Sequence, residues 1–439
     1  MEFDYKNILI MGYANSGKSV EKIIKKLNVN YKIFDRDHKI NGGNYYSKLN
    51  KKIISDFDLV VISPGISIYN KYVVMAERMG IKVIGELEFG YWFTDSPVIA
   101  ITGTNGKTTT TSLINNIVGT TYHSDAFGNI GKPLSLAHDK ALDYLVCEVS
   151  SFQLESTYSF KPYISVILNI AEDHIDRHKT FENYIKCKLG LLKNCNEKSI
   201  VVLNADDELL ISRTEGIKAK KYFVSKYKKV KGVYISKGVV YCNVGTTQEI
   251  MSLDDLSIFG GALEDVLVSI LVAKLLKIET EKIVQEIMSY EKFPHRMSKF
   301  LAKNGVEYID DSKSTNVHST INALNSTRNN IILLLGGEDK KLKFDEIFLK
   351  FRDKVKFVIA FGSARKKILA SAKKCGFENI DSAKSLYLAT KKAYDLAETS
   401  DTVLLSPACT SFDEFKSYSE RGEKFVEYIK ELINAEIQN

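Results

Sequence analysis

Two glycine-rich turns constrain this 439-residue chain more than any other feature. Each closes a short apolar run and opens a helical pattern. In that setting the free N–H groups at a helix start point toward a bound phosphate. The first turn, Gly12-Tyr13-Ala14-Asn15-Ser16-Gly17-Lys18-Ser19, satisfies the phosphate-loop pattern G-x-x-x-x-G-K-[ST] at every position. The second, Thr102-Gly103-Thr104-Asn105-Gly106-Lys107-Thr108-Thr109, misses it, because Ile101 stands where the first glycine should be. The question is which turn serves a triphosphate, and the acids around each decide it.

Beyond the first turn, the next apolar run ends in Phe34-Asp35-Arg36, with Asp35 18 residues past Gly17. A Rossmann-like unit places an acid near there to meet a ribose or base. The following run ends in Ser63-Pro64-Gly65-Ile66, with no acid at its tip to serve magnesium. The first turn therefore reads as a nucleotide-sugar loop. The second turn has a metal partner: the buried-type run at 144–149 carries Glu148 near its end. Lys107 would reach the β- and γ-phosphates, and the Thr108 hydroxyl would bind magnesium. Gly103 and Gly106 permit close approach of the backbone. The strict pattern thus misleads, and the ATP loop is the one that fails it.

Short β-rich runs alternate with helical patterns almost throughout, which argues for parallel α/β sheets. The predicted fold class is α/β in three domains: a Rossmann-like N-terminal domain over 1–93, a central P-loop ATP-binding domain over 94–297, and a C-terminal Rossmann-like domain over 298–439. Strands are expected near 7–11, 31–34, 59–63 and 82–84, then near 97–101, 144–149, 164–168 and 200–203. Antiparallel strands are expected around 221–250 and a long helical stretch over 263–290. The last domain places strands near 306–309, 331–335, 357–361 and 402–405.

Composition narrows the class. No apolar run approaches the ~20 residues of a membrane span, and the start MEFDYKN has no signal-like apolar region, so a cytoplasmic protein is expected. The six cysteines form no C-x-x-C pair, which leaves neither a zinc site nor a disulfide framework. The net charge of +7 can help steer polyanionic substrates, but the lysine-rich stretches are mixed with strand-like residues and carry no nucleic-acid motif.

TGTNGKTT is followed in order by EVSSFQLE (148–155), NIAEDHIDRH (169–178), FPHRM (293–297), DDSKSTN (310–316), LLLGGEDK (333–340) and LLSPACTSFDEFKSYSERGEKF (404–425). This series resembles the Mur ligases, ATP-dependent amide ligases of peptidoglycan precursor synthesis, along the whole chain. SPACTSFDEF, SPGI at 63–66 and VIGELEFGYWF at 83–93 point to the branch that adds D-glutamate. The resemblance implies that the three domains bind a UDP-sugar, ATP and an amino acid in turn. The implied reaction joins the carboxylate of UDP-N-acetylmuramoyl-L-alanine to the amine of D-glutamate, giving ADP and phosphate. No nucleic acid or membrane partner is implied, and a monomer is expected.

The resemblance also implies roles for residues. Gly103, Thr104, Asn105, Gly106, Lys107, Thr108 and Thr109 would bind ATP, together with His295 and Arg296 at the domain junction and Asp311 of the last domain. One magnesium ion would be held by Thr108 and Glu148, a second by His174 and Lys188, and the catalytic set would be Lys107, His174 and Lys188. By its spacing from Tyr184, Lys188 matches the family lysine that is carbamylated by CO2. An ammonium cannot ligate a cation, and the neutral amine is roughly one part in two thousand at pH 7 for an unperturbed lysine. Gly12, Asn15, Ser16, Gly17, Asp35, Arg36, Gly65 and Asn129 would take the UDP-sugar. Lys313, Thr315, Lys340, Ser411 and Tyr418 would take D-glutamate, with Tyr418 where the family usually has Phe.

Two departures stand out. The family's G-x-H-N-x-x-N helix start, which touches adenine, is replaced at 260–266 by a stretch lacking the His and both Asn. The first turn also has Ala14 where relatives often carry Gly. The nearest rivals are other Mur ligases and folylpolyglutamate ligase. The Asp-Asn-Pro-Arg string typical of the diaminopimelate-adding relative is absent. A catalytically silent nucleotide-binding module is disfavoured by the retained Lys107, Thr108, Glu148, His174 and Lys188.

Overall fold

The computed structural model describes residues 3–36, 44–129, 131–290, 294–339 and 342–438; Lys340 lies outside the described residues. Three sheets carry the chain. The first orders its strands β3-β2-β1-β4-β5, all parallel: β1 Asn7–Met11, β2 Asn30–Phe34, β3 Tyr45–Tyr46, β4 Leu59–Ile62 and β5 Lys82–Gly85. Ile8, Leu9, Ile10 and Met11 of the central strand are all buried, because helices cover both faces of a parallel sheet. That is why these strands read as continuous apolar runs rather than as alternating ones.

The second sheet has nine strands in the order β14-β13-β12-β11-β10-β9-β6-β8-β7. They are β6 Val98–Thr102, β7 Ser124–Gly128, β8 Tyr144–Glu148, β9 Ile164–Ile167, β10 Ile200–Asn204, β11 Lys220–Ser225, β12 Gly232–Ser236, β13 Val239–Val244 and β14 Thr246–Ser252. After β6 the chain crosses to β7 and β8 on one side, then returns to β9 on the other. The reversal makes the tip of β6 a topological switch point, where α/β sheets bind ligands. The first two sheets fall within one compact unit, Met1–Asp255 with Glu264–Tyr290.

The second compact unit, Leu256–Leu263 with Glu291–Asn439, holds a six-stranded sheet in the order β15-β16-β20-β17-β18-β19. Its strands are β15 Ser298–Lys303, β16 Val306–Asp310, β17 Ile331–Gly336, β18 Val355–Phe361, β19 Ile380–Ser382 and β20 Thr402–Ala408. Apolar clusters fill both faces, one around Leu333 and Phe348, the other around Leu334 and Phe425. Only the edge strand β15 runs antiparallel.

Two expectations change. The region 221–250 is not wholly antiparallel: β11 pairs in parallel with both β10 and β12, and the antiparallel meander begins at β12. The stretch 263–290 is two helices, Leu263–Leu275 and Thr280–Ser289, broken where Lys277 takes a φ of +61°.

The two glycine turns differ in where their helices start. After β1 the helix Asn15–Leu27 begins at once, so Gly17 and Lys18 lie within its first turn. A Cβ on Gly17 would fall 2.0 Å from the carbonyl oxygen of Gly12, so the glycine permits close packing of helix on strand. Gly17→Ala is expected to cost about 1–3 kcal/mol of stability, read by denaturant unfolding of the whole chain. A loss below about 0.5 kcal/mol would show that the helix can shift away without penalty.

Candidate active site

The second turn is wrapped differently. Its helix, Lys107–Gly119, starts at the lysine itself, capped by Gly106 in the left-handed region at φ +87°. A Cβ on Gly106 would lie 2.1 Å from Asp265 Oδ1, so no other residue fits there without displacing that side chain. Lys107 folds back over the loop, its Nζ donating to the carbonyls of Gly103 at 2.7 Å and Thr104 at 2.8 Å.

Asn169, just past β9, braces the same loop. Its carbonyl accepts from the Thr104 N–H at 3.0 Å and its Oδ1 from the Asn105 N–H at 2.9 Å. The Thr104 hydroxyl bridges the Ala171 backbone and the Tyr184 hydroxyl. The loop is therefore held in shape by groups from the neighbouring strand end and the helix Phe181–Leu189.

Lys188 of that helix is 1% exposed, and its Nζ donates to Gly103 O at 2.7 Å. Lys107 and Lys188 thus share one carbonyl. Burial, and then the charge of Lys107, hold the Lys188 amine well below the ordinary lysine range. The Tyr184 ring lies under it, 4.7 Å from Nζ to centroid.

Glu148 ends β8, in register with Ile101 of β6. It is buried; Oε1 accepts from Asn129 Nδ2 at 2.8 Å, while Oε2 has no hydrogen-bond partner among the described residues. A buried carboxylate oxygen without a donor is costly unless a cation meets it. His174 takes a φ of +54°, and its ring lies 4.9 Å from that of Phe152. Beside Phe152 stands Arg177, which binds Glu155 at 2.6 Å and the Ile66 carbonyl at 3.1 Å. Glu155, His178 and Cys187 form a cluster beneath this surface. Burial lowers the His178 pKa to about 4 and raises that of Cys187 to about 12, so both are neutral near pH 7.

In the first sheet, Gly12 has a φ of +87° and the carboxylate of Asp35 accepts from the Tyr13 N–H at 2.6 Å. Asp35 therefore holds the turn from the tip of β2. Asn15, Arg36 and Gly65 are exposed, as is Lys18, and Ser16 is half-buried.

In the second unit, His295 Nδ1 lies 2.6 Å from Asp310 Oδ2, a contact that raises its pKa. Lys313 Nζ lies 3.7 Å from the centre of the Tyr418 ring. Thr315 is half-buried and Ser411 buried; Arg296 is half-buried beside Met297. Asp311 is buried and accepts from Met297 N at 3.2 Å and Ser406 Oγ at 2.7 Å. The structure thus brings Gly103, Thr104, Asn105, Lys107 and Lys188 into direct contact around one loop and joins Asn129 to Glu148. Asn169, Tyr184 and Asp265 were missed in the sequence. Tyr184 served there only as a spacing mark.

The fold and this loop define a class, three-domain α/β proteins with a glycine-rich turn at the switch point of the central sheet. Solved structures with the same fold include a pseudomurein peptide ligase type C from Methanothermus fervidus (TM-score 0.61, 18% identity, 97% of this chain and 100% of that one). MurF ligase from Thermotoga maritima in complex with ADP is another (TM-score 0.59, 16% identity, 99% of this chain and 96% of that one). Family models match in order: Mur ligase MurD-like, N-terminal domain, at 6–85; Mur ligase middle domain at 101–260; and Mur ligase, glutamate ligase domain, at 295–409. UDP-N-acetylmuramoylalanine–D-glutamate ligase of Thermoanaerobacter sp. (strain X514) is 37% identical over 98% of this chain and 100% of its own length. The protein of that name from Clostridioides difficile (strain 630) is 35% identical over 98% and 100%. The chain belongs to the Mur ligase family, on its MurD-like branch.

One titration follows from the second unit. Burial raises the Asp311 carboxyl from 3.8 to about 7, against hydrogen bonds that pull it down. A group raised in the folded state contributes stability that is complete below its unfolded pKa and lost as pH rises through its folded one. The unit's stability should therefore fall between about pH 4 and pH 7. Asp311→Asn, which mimics the protonated acid, should flatten that decline in urea unfolding; parallel declines in both proteins would remove Asp311 as its source.

Proposed function

We infer that this chain joins D-glutamate to UDP-N-acetylmuramoyl-L-alanine, driven by ATP. The observation that carries this reading is the convergence of Lys107 and Lys188 on the Gly103 carbonyl, in the sheet whose β8 ends in the unpartnered carboxylate oxygen of Glu148. A carboxylate does not react with an amine near neutral pH, because its oxygen leaves too poorly. Its oxygen attacks the γ-phosphorus of ATP, ADP departs, and an acyl phosphate results. The D-glutamate nitrogen then attacks the carbonyl carbon, phosphate leaves with both C–O bonding electrons, and the amine loses a proton to solvent or a base. Little covalent work falls to the protein, so holding the reactants in line and neutralising charge dominate.

Each part of the loop has a task in this scheme. The helix start at Lys107 offers N–H groups to the phosphates, and Lys107 exchanges its carbonyl contacts for phosphate oxygens. Thr108 and Glu148 would hold one magnesium ion and His174 and Lys188 a second; the orphaned Oε2 of Glu148 fits such an ion. Bound there, magnesium supplies charge neutralisation on the phosphates. Lys188, buried and biased toward its neutral amine, suits carbamylation, which turns a cation into an oxygen ligand. Asn129 orients Glu148 and lies at the sugar side. The first turn, with Gly12, Asn15, Ser16, Gly17, Asp35, Arg36 and Gly65, takes the UDP group. His295, Arg296 and Asp311 serve ATP, and Lys313, Thr315, Lys340, Ser411 and Tyr418 serve D-glutamate. The three sheets, bounded near 93 and 297, divide these labours. One chain carries every ligand named, so a monomer suffices, and free cysteines suit the reducing, ATP-supplied cytoplasm.

Phosphate release should require ATP, the UDP-sugar and D-glutamate together. Lys107→Ala should lower kcat by at least about 10³-fold, whereas Lys18→Ala should mainly raise the KM for the UDP-sugar. Loss of ATP binding in Lys18→Ala with Lys107→Ala active would reverse the assignment of the two loops. In CO2-depleted buffer wild-type turnover should fall and bicarbonate should restore it; unchanged turnover would count against a carbamate on Lys188.

A further inference from the structure

Arg421, on the helix Tyr418–Gln438, has none of its surface exposed. A guanidinium keeps its charge and offers five N–H donors. No carboxylate among the described residues forms an ion pair with this one. Its hydrogen bonds go to two loops: Nε to Ser312 Oγ at 2.9 Å, Nη2 to Ser312 O at 2.7 Å, and Nη1 to Cys409 O at 2.9 Å. A third loop passes against it, since a Cβ on Gly337 would sit 3.0 Å from Nη1 and 2.3 Å from Thr410 O. Glu338 and Thr410 then stitch the second and third loops together, N–H to carbonyl at 2.8 Å and hydroxyl to carboxylate at 2.7 Å. Ser312 Oγ, accepting from Arg421, donates a hydrogen bond to Tyr418 O at 2.8 Å.

These are the loops that carry Lys313 and Thr315, and Ser411. We propose that Arg421 is a positioning residue for the amino-acid substrate, fixing the spacing between the Lys313 loop and the Ser411 loop. This rests on reading Lys313, Thr315, Ser411 and Tyr418 as D-glutamate ligands. Arginine suits the task because its planar fork reaches a hydroxyl and two carbonyls in fixed directions, which the point charge of lysine cannot do. The choice of carbonyls over a carboxylate matters as well. Because Ser312 and Cys409 supply neutral acceptors, an incoming dicarboxylate does not have to displace a direct ion pair of Arg421.

The test is steady-state kinetics of the full chain with each substrate varied in turn, for Arg421→Lys, Ser312→Ala and Lys313→Ala. Arg421→Lys should raise the KM for D-glutamate about tenfold or more, with the KM values for ATP and the UDP-sugar within about twofold. Ser312→Ala, which removes only the Nε acceptor and the tie to Tyr418, should raise it about threefold. If Lys313→Ala leaves the D-glutamate KM alone, the binding-site reading fails and the proposal with it. If Lys313→Ala raises it while Arg421→Lys and Ser312→Ala do not, the role of Arg421 alone is overturned. An equal rise for all three substrates in Arg421→Lys also overturns it. Should Arg421→Lys not fold, Ser312→Ala decides: an unchanged D-glutamate KM ends the proposal.

Discussion

The carbonyl of Gly103 receives two lysines, and the central domain is organised around that contact. Two ammonium groups on one oxygen, one of them buried, is an unstable arrangement of charge. Burial and the neighbouring Lys107 charge relieve it by favouring the neutral Lys188 amine. The Lys107 bonds to Gly103 and Thr104 close the turn on itself.

The two glycine turns, one matching the phosphate-loop consensus and one missing it, differ in how their helices begin. A pattern counts residues, whereas a site depends on where the helix begins. After β1 the helix starts at Asn15 and carries Lys18 outward on an exposed face. After β6 it starts at Lys107, and the left-handed Gly106 lets that lysine turn back over the loop. Glu148 ends the buried strand that pairs with β6, as the apolar run before it in the sequence suggested. Ile101, the residue that breaks the pattern, is in register with Glu148.

The long parallel strands were legible because both their faces are buried and their sequences are continuously apolar. β7 and β19 were not: Ser124-Asp125-Ala126-Phe127-Gly128 and Ile380-Asp381-Ser382 sit at sheet edges and carry polar side chains. The parallel pairing of β11 was hidden for a similar reason, since Lys220 and Lys221 look like a solvated hairpin arm. Loop residues with distinctive strings were named in advance. Their braces were not, because Asn169, Asp265 and Arg421 reach their loops only through the crossovers and the returning helices. An Asn after a strand or an Arg in a helix has no local sequence mark of that duty.

Burial acts on a titratable group of opposite sign in each of the two units. In the first unit, burial biases Lys188 toward neutrality and leaves Glu148 with an open oxygen, which prepares a place for added positive charge. In the second, the carboxyl of Asp311 is pushed toward its neutral form, while Arg421 donates to two carbonyls and a hydroxyl. In both units burial thus favours the neutral form of a titratable group, an amine in one and a carboxyl in the other.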